Sequence, residues 1–309
     1  MDVLLSEGSL SHTPENTACL ADMAALKAAC AAGTVLEQQA SLFDKNKNII
    51  VQLGPIKGVM PHHECAAGIA EGAIRDIAII SRVGKPVCFV ITGFSKDERG
   101  NPIAVLSRRA VQQAYLDQSV KHFRPGDIIR CRVTHLERFG CFVDIGRGIS
   151  ALLPIDAISV SRISHPCDRI RVGMELRCVV KAIDAAGRLL LSHKELLGTW
   201  EQNAAFFFPG ETVIGTVRSL EDYGVFIELS PNLAGLADCA EGLEIGRQTS
   251  VFIKSILPER MKIKLVLIDT MPLDQKPAPG PFHYFIESGH IDRFVYSPAS
   301  CPKVIETVF

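Results

Sequence analysis

The chain carries one short motif twice at a fixed spacing. RFGCFVDIG at Arg138–Gly146 returns 84 residues later as DYGVFIELS at Asp222–Ser230, and Gly126 upstream corresponds to Gly210 at the same spacing. A chain of 309 residues can hold two or three domains. Internal repetition predicts that these domains are copies of one small unit.

A third, more divergent copy precedes these two. Its parts are NIIVQLGPIKGVMP at Asn48–Pro61 and VGKPVCFVITGFSKDERGNPIAVLSRR at Val83–Arg109. The end of the second part, LSRR at Leu106–Arg109, aligns with LSHK at Leu191–Lys194 in the middle copy. The sequence therefore predicts three tandem copies.

Each copy has the pattern of a small β-barrel. Apolar residues alternate over short stretches that are separated by glycine, proline or turns such as Asp184–Gly187. Five short strands in each copy favour a closed barrel over an open sheet, because closure removes exposed strand edges. We therefore predict an all-β protein of three tandem five-stranded barrels.

Helices are predicted between the barrels and near the N-terminus. Ser107–Val120 and Ser192–Ala205 contain helix formers with apolar residues three or four apart, which indicates linker helices. Thr13 is a helix cap before Pro14, and the apolar stripe that follows ends near Gly33. The predicted domains are an N-terminal helical segment (1–32), a first barrel (33–112), a linker helix (113–122), a second barrel (123–195), a linker helix (196–207), a third barrel (208–270), and a proline-rich spacer with an aromatic tail (271–309).

Two further predictions concern aromatic residues. The last 28 residues contain six aromatic residues, so we expect this tail to dock on another part of the molecule. The only tryptophan, Trp200, lies in the second linker, and we expect it to be buried where the linker meets a barrel.

Composition excludes several classes of protein. The formal net charge of −1 gives no bulk attraction for nucleic acid, so any basic surface must be local. No run of 18 apolar residues is present, and the start MDVLLSEGSL lacks the basic region and apolar core of an export signal. We expect a cytoplasmic protein with no membrane partner.

The sequence predicts neither disulfides, nor a metal or other cofactor, nor catalysis. Its ten cysteines include no CxxC pair, and Cys88 and Cys178 sit inside apolar runs, so we expect reduced core thiols. His62–Cys65, HHEC, looks like a metal cluster, but adjacent residues rarely converge on one ion, and we interpret them as turn residues. GxSxG, HExxH and GxGxxG motifs are absent from the sequence.

The repeated motif places aromatic rings on a face where solvent is expected. Alternate side chains of a strand point to opposite faces, so Phe142 and Asp144 share the face away from the core. Phe226 and Glu228 do the same in the later copy. Phe139 has the opposite parity, but the glycine that follows it can support a bulge that re-aims its ring.

Two adjacent exposed rings form a platform on which unpaired bases stack. Each stacked base contributes about 1–3 kcal/mol, largely independently of its identity. The alternative is that a linker helix or a neighbouring barrel covers the rings.

At these residues the copies resemble the RNA-binding repeat of bacterial small-subunit ribosomal protein S1, an oligonucleotide-binding (OB-fold) barrel. The family pattern has a glycine-led first strand, an F-G-x-F-V motif, and a basic residue before a Leu-Ser strand end. It is matched by Gly126, Phe139–Val143 and Arg188–Ser192 in the middle copy, and by Tyr223–Ile227 and Lys262–Leu265 in the later one. The resemblance covers residues 33–269 and implies single-stranded RNA binding in translation.

The first copy departs from this pattern. It has SLFDKNKN at Ser41–Asn48 in place of the ring motif, and Ile103 in place of the basic residue. We therefore predict that it has lost the RNA-binding face. In the family, N-terminal repeats often contact the ribosome, so the resemblance implies that residues 1–112 contact the small ribosomal subunit.

Charge distinguishes the two motif-bearing copies. Residues 123–195 contain 12 Lys and Arg against 8 Asp and Glu, whereas residues 208–269 contain 6 against 9. Because cations supply most phosphate affinity, the middle copy is the predicted main RNA site. The predicted contacts are Phe139, Phe142, Arg188, Arg138 and Arg147 there, with Tyr223, Phe226 and Lys262 as weaker contacts in the third copy. Solvated surface is an equally good interpretation of Arg147.

These patterns lead to one hypothesis and two alternatives. The hypothesis is a non-enzymatic protein that binds single-stranded RNA, such as mRNA, without strong sequence preference and acts with the ribosome in translation. Because the same barrel occurs in other RNA-related proteins, a regulator of RNA decay or transcription elongation is one alternative. The other is a protein-interaction scaffold that binds no RNA, which the near-neutral charge also fits.

Overall fold

The chain folds into three closed five-stranded barrels that follow one another in sequence, which confirms the predicted all-β fold. The computed structural model describes residues 4–70, 72, 74–240, 242–270 and 280–309. Most of the predicted proline-rich spacer, residues 271–279, lies outside this range. Two compact units are present, one of residues 1–123 with 144–149 and one of 124–143 with 150–309. Within the described range, the helices are too short or too polar to cross a bilayer.

The N-terminal segment forms two helices rather than the single helix predicted. They are α1 (Pro14–Cys19) and α2 (Met23–Ala32). Thr13 caps α1 as predicted. Asp22 breaks the apolar stripe, because it is extended and its carboxylate accepts the Ala25 N–H at 2.8 Å, which starts a new helix.

The first barrel has the strand order β1-β2-β3-β5-β4. Its strands are β1 (Leu36–Phe43), β2 (Ile49–Leu53), β3 (Ile56–Met60), β4 (Pro86–Lys96) and β5 (Pro102–Ser107), with the short helix α3 (Asp76–Ile80) between β3 and β4. The linker helix α4 (Arg108–Gln118) lies within the stretch Ser107–Val120 that was predicted to be helical, and it starts before the predicted domain boundary of 113. The Ser107 hydroxyl at the strand end accepts the Ala110 N–H and caps the helix. A short 3-10 helix at Val120–His122 follows.

The middle barrel has the strand order β10-β8-β7-β6-β9. Its strands are β6 (Ile128–Glu137), β7 (Gly140–Asp144), β8 (Ser150–Pro154), β9 (Glu175–Ile183) and β10 (Leu189–Ser192). Cys141, Val143 and Ile145 are buried, in agreement with the predicted core face. All ten cysteines of the chain are free thiols, and six of them are buried, including Cys88 and Cys178, which were predicted to lie in the core.

The third barrel follows a linker formed by a 3-10 helix (Lys194–Leu197) and α5 (Trp200–Ala204). Its strands are β11 (Thr212–Glu221), β12 (Gly224–Ser230), β13 (Leu233–Ala237), β14 (Gln248–Leu257) and β15 (Lys262–Thr270), closed in the order β11-β12-β13-β15-β14. Trp200 is buried in the core of this barrel, as predicted.

The C-terminal tail docks as predicted, and it forms a hairpin that the sequence did not indicate. Strand β16 (Arg293–Val295) pairs with β17 (Glu306–Val308). Phe294 and Tyr296 are buried within the core cluster of the third barrel. These two aromatic residues of the tail are thus part of the hydrophobic core.

Candidate nucleic-acid interface

A glycine directly after the first ring shapes each motif. Gly140 has φ 156° and Gly224 has φ 150°, values at the edge of the region that side chains rarely adopt. A Cβ on Gly224 would lie 2.6 Å from the Ala237 carbonyl oxygen of the neighbouring strand, and a Cβ on Gly140 would overlap the Leu153 carbonyl oxygen. Only glycine therefore allows this close approach of strands after the ring.

The structure brings the two rings of each motif together with almost the same geometry. The ring centroids of Phe139 and Phe142 are 6.1 Å apart at an interplanar angle of 87°. Those of Tyr223 and Phe226 are 6.2 Å apart at 90°. Edge-to-face contacts at this distance are favourable for aromatic side chains. We call these the middle ring pair and the third ring pair.

Each ring pair has one ring that faces solvent. Phe139 is 55% exposed and Tyr223 is 69% exposed, whereas Phe142 and Phe226 are half-buried against the barrel wall. The alternative that a helix or a neighbouring barrel covers the rings is therefore wrong for Phe139 and Tyr223. A large ring held rigidly in water can stack on an unpaired base.

The acid of each motif, predicted on the solvent side, is instead buried. Asp144 is almost fully covered, and its carboxylate accepts the N–H groups of Glu7, Gly146 and Gly148. Burial, together with the nearby Glu7 carboxylate, raises the pKa of Asp144 to about 6. Strand alternation predicted that water would solvate this carboxylate, but backbone N–H groups donate to it instead.

Glu228, the counterpart of Asp144 in the third barrel, is buried in a different way. Its carboxylate is bound by the guanidinium of Arg169 from the middle barrel and by that of Arg218 on β11, whose Nε lies 2.7 Å away. The second acid of the repeat therefore joins two barrels. Its role is structural, although it lies two residues from the ring of Phe226.

In the third barrel, the face that bears Phe226 continues across two further strands. Backbone register pairs Phe226 with Leu236 on β13, and Leu236 with Lys264 on β15. Lys264 is exposed and shares its face with Lys262 two residues earlier. Sequence reasoning missed Lys264, although the alternation in KIKL was a signal for it. In the middle barrel the corresponding position is Leu190, which pairs with Leu152 on β8.

The predicted basic contacts occupy different environments. Arg188 is exposed, precedes Leu190 by two residues, and donates from Nε to Asp184 at 2.7 Å in the turn before β10. Arg138 is exposed directly before Phe139.

Arg147 belongs to the first compact unit. It lies in the 144–149 loop at φ 52°, and its N–H donates to the Leu5 carbonyl at 2.7 Å. Its own carbonyl accepts the Gln112 side chain at 3.1 Å. These contacts give Arg147 a structural environment that its position in the motif did not reveal.

The first barrel has a tight turn where the other two have a ring motif. The Asp44 carboxylate accepts the N–H groups of Asn46 and Asn48, each within 2.9 Å, and Phe43 packs against the core. Of the HHEC residues, His62 contacts Asp76 and Glu64 binds Arg109. Within the described ranges, no three potential metal ligands converge on one point.

The environment of His193 is not indicated by any sequence pattern. This side chain is fully buried, its Nδ1 donates to the Ile158 carbonyl at 2.8 Å, and Nε2 accepts the Tyr284 hydroxyl of the tail at 3.1 Å. Burial lowers the pKa of His193 to about 4, so the ring is neutral near pH 7. The Phe282 ring lies at 4.5 Å from its centroid.

Barrel topology and ring motif together resemble the S1 type of OB-fold barrel. Residues 122–194 match the family model of the S1 RNA binding domain. These residues comprise the middle barrel, which is thus similar to the S1 RNA binding domain, and the predicted resemblance of the chain to the S1 family is confirmed.

Similar proteins extend this match beyond the middle barrel. Small ribosomal subunit protein bS1 of Staphylococcus aureus strain N315 is 31% identical over 198 residues, which are 59% of this chain and 50% of that protein. The protein of the same name from Staphylococcus haemolyticus is 33% identical over 189 residues, 56% of this chain and 48% of that protein. The chain spans about half the length of the curated relatives it matches.

Among solved structures, a multidomain protein with nucleic acid binding domains from Streptococcus pneumoniae matches 76% of this chain and 73% of its own. The identity is 13% and the TM-score 0.26, which is too low to support an argument about this chain.

Proposed function

We propose that this protein binds single-stranded RNA, such as mRNA, at the middle ring pair and acts with the small ribosomal subunit in translation, in the cytoplasm and without catalysis. The observation that carries the proposal is the edge-to-face pair of exposed Phe139 and half-buried Phe142 on a barrel that matches the S1 RNA binding domain. The same pair recurs on the third barrel.

Stacking supplies the first part of the affinity. Two bases stacked on the middle ring pair contribute roughly 2–6 kcal/mol before the cost of ordering the strand. This is a weak interaction for a single barrel. A second ring pair on the same chain raises the effective concentration of the next contact, so the third ring pair strengthens binding without a large intrinsic affinity.

Electrostatics supplies the second part and makes the middle barrel dominant. Its residues carry an excess of basic over acidic side chains, whereas the third barrel has the reverse. Arg188 and Arg138 contact phosphates of the RNA strand, because both side chains are exposed. Arg138 directly precedes Phe139, and Arg188 precedes β10, which β8 separates from β7. Lys262 and Lys264 perform this role at the third ring pair.

The translation role rests on the similar proteins. Those described above bear the name small ribosomal subunit protein bS1. The first barrel, which lacks the ring motif, then contacts the small ribosomal subunit through residues 1–112. RNA decay or transcription elongation has no specific observation in its favour.

The test compares RNA forms and ring variants over a series of salt concentrations. Wild-type protein should bind an unstructured oligoribonucleotide more tightly than an RNA duplex, because only unpaired bases can stack. Phe139→Ala combined with Phe142→Ala should weaken single-strand binding by about tenfold or more. The salt dependence should change little, because the phosphate contacts remain.

Two results would contradict RNA binding at this site. One is equal affinity for duplex and single strand, and the other is normal binding by the double ring variant. Cosedimentation with small ribosomal subunits tests the translation role separately. Failure to cosediment, with RNA binding intact, would overturn that role alone.

A further inference from the structure

We infer that the C-terminal tail, residues 280–309, is a clamp that holds the middle and third barrels in one fixed arrangement, so that a single RNA strand contacts both ring pairs at once. The inference rests on the proposed function. It assigns Tyr284 and Tyr296 as positioning residues, which act on the barrels and do not touch RNA.

The clamp begins at the start of strand β6 of the middle barrel. The Ile128 N–H donates to the Gly289 carbonyl at 3.0 Å, and the Ile291 N–H donates to the Gly126 carbonyl at 2.9 Å. Between these bonds, His290 binds the Asp127 carboxylate at 2.7 Å. The tail is thus attached to β6 by backbone hydrogen bonds as well as by side chains.

A buried hydrogen-bond chain anchors the clamp to the same barrel. The Tyr284 hydroxyl accepts the Arg177 N–H at 3.1 Å and donates to His193 Nε2 at the same distance. The Arg177 guanidinium also binds the Glu287 carbonyl at 2.7 Å. Removing the Tyr284 hydroxyl therefore leaves the buried Nε2 of His193 and the backbone N–H of Arg177 without this partner.

The other end of the clamp is built into the third barrel. The Tyr296 hydroxyl donates to the Asn232 carbonyl at 2.6 Å, and the Tyr296 carbonyl accepts the Trp200 N–H at 2.9 Å. Phe294 packs into the core of this barrel. The tail therefore contacts both barrels through hydrogen bonds and contributes to the core of the third.

The residues that the clamp reaches also form the direct contact between the two barrels. Asn232 is fully buried, accepts the Val160 N–H at 3.1 Å and donates to the Lys194 carbonyl at 2.7 Å. Nearby in sequence, Glu228 binds Arg169 of the middle barrel and lies two residues after Phe226 of the third ring pair. The strand that carries this ring pair is therefore fixed to the middle barrel.

A fixed arrangement has a measurable consequence for RNA of different lengths. When two sites are held at one separation, a strand long enough to reach both gains affinity from effective concentration. When the separation varies, this gain decreases, although each site alone is unchanged. The length dependence of binding therefore reports on the clamp separately from the rings.

The experiment measures the affinity of the full chain for a short and a long uridine oligomer, about 6 and about 24 nucleotides, which span one and more than one barrel. Wild-type protein should bind the long oligomer about 100-fold more tightly. Tyr284→Ala combined with Tyr296→Ala should lose about tenfold of this gain and keep its affinity for the short oligomer. Val308→Ala is the matched control, since Val308 is a tail residue that is 68% exposed.

A milder variant keeps the inference testable if the alanine pair does not fold. Tyr284→Phe combined with Tyr296→Phe removes only the two hydroxyls and should lose about threefold of the length gain. Retention of the full gain by the folded variants, or absence of a gain in wild-type protein, would overturn the clamp. If wild-type protein does not bind the short oligomer, the proposed function is overturned instead.

Discussion

The middle and third barrels share one ring geometry and differ in the residues around it. Their ring centroids lie 6.1 Å and 6.2 Å apart at nearly the same angle. The middle barrel has 12 basic against 8 acidic residues, and the third has 6 against 9. The glycine motif thus determines where the rings lie, and we expect charge to determine how strongly the same geometry attracts a phosphate chain.

The acid of the motif also has different surroundings in the two barrels. Asp144 and Glu228 occupy corresponding positions, yet Asp144 binds backbone N–H groups while Glu228 binds two guanidinium groups. One position in the repeat has therefore been used for two structural purposes. Similarity of motif does not imply similarity of role at each residue.

The largest expected difference between the two barrels concerns these acids. Glu228→Gln removes the charge that balances buried Arg169 and Arg218, and we expect a loss of about 3–5 kcal/mol in the free energy of unfolding. Asp144→Asn keeps one carbonyl acceptor and should cost about 1–2 kcal/mol. Urea unfolding of both variants measures the difference, and equal losses would show that the two acids are equivalent.

The glycine after the first ring should matter equally in both barrels. Gly140→Ala and Gly224→Ala each force a Cβ against a neighbouring strand, and we expect a loss of roughly 2–3 kcal/mol in unfolding free energy. Gly210→Ala is the control, because φ there is 95° but a Cβ would meet no atom within 4 Å. Thermal unfolding measures the stability of the three variants. An equal loss of stability in all three would refute the steric explanation.

Acid should destabilise the unit that contains the middle and third barrels. Burial lowers the pKa of His193 from 6.5 to about 4, so between these values the unfolded chain binds a proton that the folded chain excludes. Stability is therefore lost as the pH falls through this window, by about 2 kcal/mol at pH 5. Calorimetric melting at pH 7 and pH 5 measures the loss, and His193→Gln should abolish it. An unchanged pH dependence in that variant would assign the effect to another group.

The smallest effects on RNA binding should come from single exposed cations, which test the difference in charge between the two barrels. Arg188→Ala should weaken RNA binding about fivefold and reduce the salt slope by about one. Lys264→Ala should weaken binding only about twofold, because the third barrel contributes less. Leu190→Lys places a cation at the matching position of the middle barrel and should strengthen binding about twofold. Fluorescence titrations at several salt concentrations measure the RNA affinity of all three variants. A larger loss of affinity for Lys264→Ala than for Arg188→Ala would make the third barrel, and not the middle one, the main RNA site.

Much of the architecture could be predicted because it depends on local patterns. Alternation identified the core face of β7, and the repeated glycine motif located both ring pairs. The two N-terminal helices were not separated, because the capping conformation of Asp22 is not visible in an apolar stripe. The role of Lys264 was available from alternation and was overlooked.

The remaining features depend on contacts between distant parts of the chain. Alternation placed Asp144 in solvent, but the N–H of Glu7 reaches it from 137 residues away. Arg147 and Glu228 are likewise defined by partners outside their own repeat. The tail was expected to dock, but its site on two barrels follows from pairing that no local pattern encodes.

We expect two ring pairs of equal geometry to bind RNA with unequal affinity because the charges around them differ. The direct test is to measure single-stranded RNA binding at low salt for two matched variants, Phe139→Ala with Phe142→Ala and Tyr223→Ala with Phe226→Ala. Affinity should fall about 30-fold for the middle ring pair and about threefold for the third. Equal losses, or a larger loss at the third ring pair, would contradict this expectation.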